Sequence, residues 1–259
     1  HLSFSQRFFL RLFCLISVLF STSLFALVSI APVDIGSKPG FSGNISGSLS
    51  SKSGNTQKDN YSLGLRTQYD QGTDYLVWGV LTYNYGTANN TKNEDKAYAH
   101  LRYIHSLRND DLYSELFLQT EQDAFRDIKT RSLSGAGVRW RFLDSDDWGK
   151  GYIGMGGLVE KIEYSHPQIN PNETNARANS YIAFTKNFMV SSKLSYVGHY
   201  QPKFVDTSDF VSLQTVELNI PIYQNLGLSI TARYAYDSLP PMGVEKKDTA
   251  YVTNLVWEF

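Results

Sequence analysis

Lipolytic chemistry at a membrane surface needs a serine, a nearby histidine and an orienting polar group. The one close pair here is His105 and Ser106. Adjacent strand residues point to opposite faces, so the pair reads as an interfacial histidine beside a serine, not a triad. Proteolysis would call for clustered Asp and His, but His166 stands in its loop without a nearby acid, and His100 and His199 fall on separate strands, isolated from metal-ligand spacing. The run Asp144, Asp146, Asp147, Gly149 has the look of a calcium loop, yet Trp148 takes the fifth position and no Glu closes the loop at twelve, so it reads as a polar turn. Gly154, Gly156 and Gly157 sit inside a strand and open no helix, which removes a nucleotide fingerprint. The single cysteine, Cys14, lies in an apolar stretch near the start, leaving no disulfide, thiolate nucleophile or cysteine metal site elsewhere. The expectation is no enzyme, no catalytic residue, no cofactor and no metal.

The informative residues are charges recurring at every second position. One face carries Arg66, Arg102, Arg131, Arg139, Arg141, Arg177, Lys193 and Arg233 against Glu115, Glu121, Glu217, Asp237 and Glu258, with Gln68, Asn84, Gln119 and Asn179 between them. Two readings stand. In a channel, these charges line a wetted lumen and the basic excess tilts selectivity toward anions. In a filled barrel, Arg and Glu pair across the interior, because buried charges must be paired and hydrogen-bonded.

The elements that must position these charges are strands. From Pro39 onward, alternation with period two recurs to the last residue, with no convincing helical period. Leu226, Leu228, Ile230, Ala232, Tyr234 and Tyr236 share one face while Ser229, Thr231 and Arg233 share the other. The final segment repeats this, with Thr249, Tyr251, Thr253, Leu255, Trp257 and Phe259 opposite Asn254 and Glu258. The pattern predicts twelve strands over 40–52, 58–70, 74–86, 96–107, 112–122, 130–142, 151–163, 175–186, 188–201, 210–221, 226–237 and 248–259. The links at one end are short, the exception being Leu143–Lys150; those at the other, Gly86–Asp95, Asp123–Lys129, Ser165–Thr174, Pro202–Asp209 and Ser238–Lys247, are longer and polar. The proline-bearing loop Ser165–Thr174 is a candidate to fold inward and plug the interior.

A sheet in lipid must close to leave no unpaired edge, and an even strand count returns both termini to one side. A soluble sandwich would show the same alternation, so aromatic placement discriminates. Tyr69, Tyr103, Trp140, Phe142, Trp257 and Phe259 fall near the short-turn rim, expected to be periplasmic, and Tyr83, Tyr85, Tyr200, Tyr234 and Tyr236 near the other, as two interfacial girdles would. The expected fold is all-β: a closed antiparallel transmembrane β-barrel of about twelve strands.

Composition agrees. Of 259 residues, 42% are hydrophobic, and 24 Lys+Arg meet 25 Asp+Glu, which excludes a strongly basic nucleic-acid binder and an acidic disordered tail. A mean hydropathy of −0.30 excludes a multi-helix membrane protein. Residues 1–31 differ from the rest: Arg7 and Arg11 precede or flank a greasy run to Val28, followed by small residues Ser29 and Ala31. They read as a signal peptide and short leader, with 32–259 as the barrel domain. The first residue is His, so the true start and the cleavage position stay open. A monomeric or weakly oligomeric protein of a Gram-negative outer membrane is expected. Its partners would be the lipid bilayer, the barrel-assembly machinery, and small ions or polar solutes.

Tyr251, Leu255, Trp257 and Phe259 resemble the terminal-strand signal by which outer-membrane barrels are recognised for assembly. Gly43, Gly47, the stretch Ser53, Gly54, Asn55, Thr56, the segment Arg131–Arg141 with Gly135 and Gly137, and the closing strand resemble the salt-induced outer-membrane protein family, a YdiY-like domain of unknown function. The resemblance implies an outer-membrane barrel and offers no established activity. The strand glycines themselves read as room for curvature or for rings packing alongside.

Overall fold

A computed structural model describes residues 32–52, 58–107, 111–188 and 192–259. The expected leader, 1–31, and the Ser53–Thr56 bend lie outside the described residues.

Twelve strands form, each at a stretch where residue polarity alternates: β1 Gly40–Lys52, β2 Lys58–Asp70, β3 Tyr75–Ala88, β4 Thr91–Ser106, β5 Leu112–Asp123, β6 Ile128–Ser145, β7 Gly149–Tyr164, β8 Glu173–Phe188, β9 Ser192–Pro202, β10 Phe210–Tyr223, β11 Leu226–Asp237 and β12 Lys247–Glu258. Every strand pairs antiparallel with its sequence neighbours, and β1 pairs with β12 to close the barrel. The closing ladder joins Asn44 to Glu258 through Gly47 to Leu255, and Gly43 and Phe259 exchange two main-chain hydrogen bonds of 3.0 Å. The expected assembly-signal residues Tyr251, Leu255 and Trp257 therefore lie on the closing strand and Phe259 directly follows it, all four exposed.

Seven strands, β3 to β8 and β10, run longer than alternation suggested, β9 begins later than expected, and two links shrink markedly. The expected loop Gly86–Asp95 is a two-residue turn at Asn89 and Asn90, both with positive φ (49° and 61°), the conformation a tight hairpin requires and asparagine tolerates. The exceptional link Leu143–Lys150 contracts to residues 146–148, where the Ser145 hydroxyl accepts from the Trp148 amide at 3.3 Å. Polar residues misled the boundary in both places, because strands that emerge from the bilayer keep pairing among polar side chains.

The outside is apolar. Leu81, Leu116 and Met155 are 56%, 55% and 64% exposed on the outer face, whereas neighbouring inward side chains are buried. Aromatic rings cluster at both rims: Phe41 with Phe259, Trp257 with Phe259, Trp140 with Phe142 and Tyr75 with Tyr103 at the turn rim, and Tyr200, Phe210 and Tyr236 in a chain at the loop rim. Close approach explains three of the strand glycines. An added Cβ at Gly135 would stand 2.2 Å from the Phe117 ring, at Gly154 2.0 Å from Tyr181, and at Gly43 2.7 Å from Phe259.

Candidate functional site: the lumen

The lumen holds the chemistry. On β6, every second residue from Arg131 to Arg141 faces inward, so Arg131, Arg139 and Arg141 form a column. Opposite them, Glu160 of β7 is fully buried and acts as a hub. Its Oε2 accepts from Arg131 Nε at 2.8 Å and Nη2 at 2.6 Å, and its Oε1 accepts from Arg177 Nε at 2.6 Å. Arg131 also reaches Glu121 at 3.4 Å, and Arg177 reaches Asp209 at 3.0 Å. Such pairs are sustainable away from water because each cation meets a carboxylate with further hydrogen bonds.

A second group centres on Glu115, which accepts from the Tyr181 hydroxyl at 2.7 Å and pairs with Arg102 at 3.5 Å and Arg139 at 3.7 Å. The guanidinium of Arg102 lies 5.2 Å from the Phe117 ring and 5.6 Å from Trp78, while that of Arg139 lies 4.5 Å from Tyr152 and 4.7 Å from Tyr113. Stacking of this kind favours arginine over lysine, since a planar, weakly hydrated cation loses less on leaving water. Leu76, Ile104, Tyr113, Tyr152, Tyr181, Ala183 and Val197 fill the space around them as an apolar core inside the barrel.

The sequence-derived lumen residues divide by environment. Arg66 lies 4.7 Å from the Trp78 ring. Buried Glu217 accepts from the Asn219 amide, and Asp237, near the loop rim, meets Arg126 at 3.8 Å. Arg141 bridges Asp111 and Asp144 at 3.1 and 3.3 Å. Lys193 and Arg233 have no carboxylate within ion-pair distance among the described residues. Gln68, Asn84, Gln119 and Asn179 line cavities between these charges.

The carboxylates of Glu160, Asp209 and Asp34 join the lumen network together with the ammonium groups of Lys150 and Lys203, and most of the basic residues read from sequence meet a carboxylate there. Glu160 escaped sequence reasoning because β7 presents Tyr152, Gly154, Gly156, Leu158 and Ile162 on that same face, where a polar inner face was expected. Two histidine readings also change. His166 does have a nearby acid, since Asp127 from a different loop lies 2.6 Å from its Nδ1. His100 and His199, though on separate strands, line one cavity with Trp78 and Tyr181. Among the described residues no group of three or more His, Cys, Asp or Glu is arranged to hold a metal ion.

The segment lodged in the lumen is Pro32–Pro39, not the loop Ser165–Thr174 expected as a candidate plug. Ser165–Thr174 lies across the loop rim, with Asn170 donating to Asp127 at 2.7 Å and accepting from the Met242 amide at 2.7 Å. The Asn170 amide and His166 hold the Asp127 carboxyl below the usual carboxylate range. From the opposite rim, Pro32–Pro39 enters the lumen: Val33 and Ile35 pack against the apolar core, and Asp34 is buried. The Asp70 carboxylate clamps this segment by accepting from the amides of Gly36 and Lys38 at 2.9 and 3.2 Å. Pro32 and Val33 stand between two cavities. One, of about 260 Å³, reaches toward the loop rim past Arg131 and Arg233; the other, of about 1100 Å³, opens at the turn rim and is lined by Ser42, Asn44, Lys193, Asn219 and Ser229.

A closed, outwardly apolar, antiparallel barrel with a charged interior defines an outer-membrane-type β-barrel protein. The chain belongs to DUF481, a family described as protein of unknown function, whose profile matches residues 45–259. Among solved structures, the NanC porin matches with a TM-score of 0.51 and 11% identity, over 83% of this chain and 98% of that one. The translocator domain of the autotransporter NalP from Neisseria meningitidis matches with a TM-score of 0.47 and 8% identity, over 85% of this chain and 87% of that one. No curated protein matches the sequence. The porin likeness extends to the fold, and the barrel type supports an outer-membrane location and association with its lipid.

Proposed function

We propose that the protein is a narrow passage for small polar solutes or ions across the outer membrane, with a weak preference for anions, and that its role is transport rather than catalysis. The observation that carries this reading is the pair of cavities, lined by charged and polar side chains as well as apolar ones, that reach from the two rims to Pro32 and Val33. Charged side chains line both, and a lumen wall bearing charges selects ions by sign. The anion preference rests on Lys193 in the wider cavity and Arg233 in the narrower one, rather than on Arg139 or Arg177, whose charges are buried in ion pairs.

Planar-bilayer recording of the refolded chain tests this. Discrete steps with an anion-favouring reversal potential are expected, shifting toward cations when Lys193→Glu and Arg233→Glu are combined. A heat-modifiable, inserted barrel without steps would favour a second reading, a non-conducting structural or salt-stress barrel. That reading has its own support in the ion-paired, aromatic-packed core of the lumen.

A further inference from the structure

Asp34 occupies a site that other parts of the barrel wall build. Its carboxylate accepts from the Tyr152 hydroxyl and from Lys150 Nζ, and Arg141 Nη1 stands 3.9 Å away. One peptide unit along, the Val33 carbonyl accepts from Arg139 Nη2 at 3.1 Å. Tyr152 and Arg139 are 1% and 2% exposed, so the donors are fixed in place away from bulk water. An ammonium, a phenol and two guanidiniums converging on a carboxylate and a neighbouring carbonyl make a receptor for such a pair of groups, and charge-assisted hydrogen bonds of this kind are the strong ones.

We propose that Lys150, Tyr152, Arg141 and Arg139 form a lumen binding site for small carboxylates bearing a second oxygen acceptor about one peptide unit away, and that Asp34 with the Val33 carbonyl occupies it as an internal mimic. The inference deepens the solute-passage reading and takes its biological sense from it. The mimic is tethered at Gly40, where β1 begins, so it competes as an intramolecular ligand at high effective concentration. A solute carboxylate that takes the site displaces Pro32–Pro39, the segment that separates the two cavities.

The test reads binding alone, by calorimetry with succinate on the full chain folded in detergent, against chloride at equal ionic strength. Asp34→Asn is expected to bind succinate about tenfold more tightly than the parent, and adding Lys150→Gln to remove that gain, as loss of a charged hydrogen bond predicts. Equal or weaker binding by Asp34→Asn overturns the proposal. If that variant does not fold, Val33→Cys with Cys14→Ser decides: succinate should speed modification by a water-soluble thiol reagent several-fold over chloride, and an unchanged rate overturns the proposal. A barrel that binds succinate but passes no current leaves this site standing and removes the passage. One that conducts without distinguishing succinate does the reverse.

Discussion

The two sides of the lumen obey the same alternation but end differently. From β3 to β8 the inward positions carry Trp78, Tyr113, Phe117, Tyr152 and Tyr181 with arginines among them, and they pack closely, leaving only the smaller cavity of about 260 Å³. On β1 and on β10 and β11 they carry Ser42, Asn44, Ser46, Asn219 and Ser229, and the wider cavity lies against them. Barrel diameter follows strand number, and both sides share one barrel. Whether this lumen is filled or wet is therefore set by the size of inward side chains, and one barrel can do both.

The largest effect that would break this comparison is expected at the hub of the packed side. Glu160→Gln leaves Arg131 with Glu121 and Arg177 with Asp209 as their remaining carboxylates, so the expected cost lies toward the lower end of the about 3–5 kcal/mol of breaking a buried pair. Urea unfolding of the reconstituted barrel should show a loss of that order, and an unchanged midpoint would mean the network is hydrated. Phe117→Ala should cost about 3 kcal/mol or more by opening a cavity beside Gly135. Ser229→Ala, on the open side, should change stability by less than about 1 kcal/mol in the same assay.

Filling the open side sharpens the contrast. Asn44→Phe, at a half-buried position lining the wider cavity, places a ring in that space, so single-channel conductance should fall by about half or more. A large stability loss instead would show that the open arc has no room. The smallest effect concerns the loop rim. Asp127 is held below its ordinary value by Asn170 and His166, so its contribution is present above the usual aspartate pKa of about 3.9 and is lost as pH falls through the lowered one. Proteolysis of the 165–172 loop should quicken in the parent below about pH 4. Asp127→Asn should remove that dependence, and because asparagine accepts the positive φ of 59° found there, the comparison reads charge rather than backbone.

Much of the architecture was legible because period two is a local property. Ser229, Thr231 and Arg233 alternate with Ile230, Ala232 and Tyr234 within one strand, and that sufficed to place β11 and its two faces. Glu160 was not legible, because the β7 positions sharing its face include Tyr152, Leu158 and Ile162; they are apolar for the sake of a core inside the barrel, where a polar face was expected. His166 and Asp127 are 39 residues apart, and Asp34 and Tyr152 are 118 apart, so no spacing rule could join either pair.

By itself the sequence determined strand number, the sheet's inner and outer faces, the aromatic rims and the inward direction of the charges, since each follows from alternation and turn chemistry along the chain. Only the tertiary structure decided which charges meet, that one arc is packed while the other stays open, and that Pro32–Pro39 lies between two cavities. Those depend on which inward side chains stand across the lumen from one another, and closure of the barrel brings them together from strands far apart in the chain.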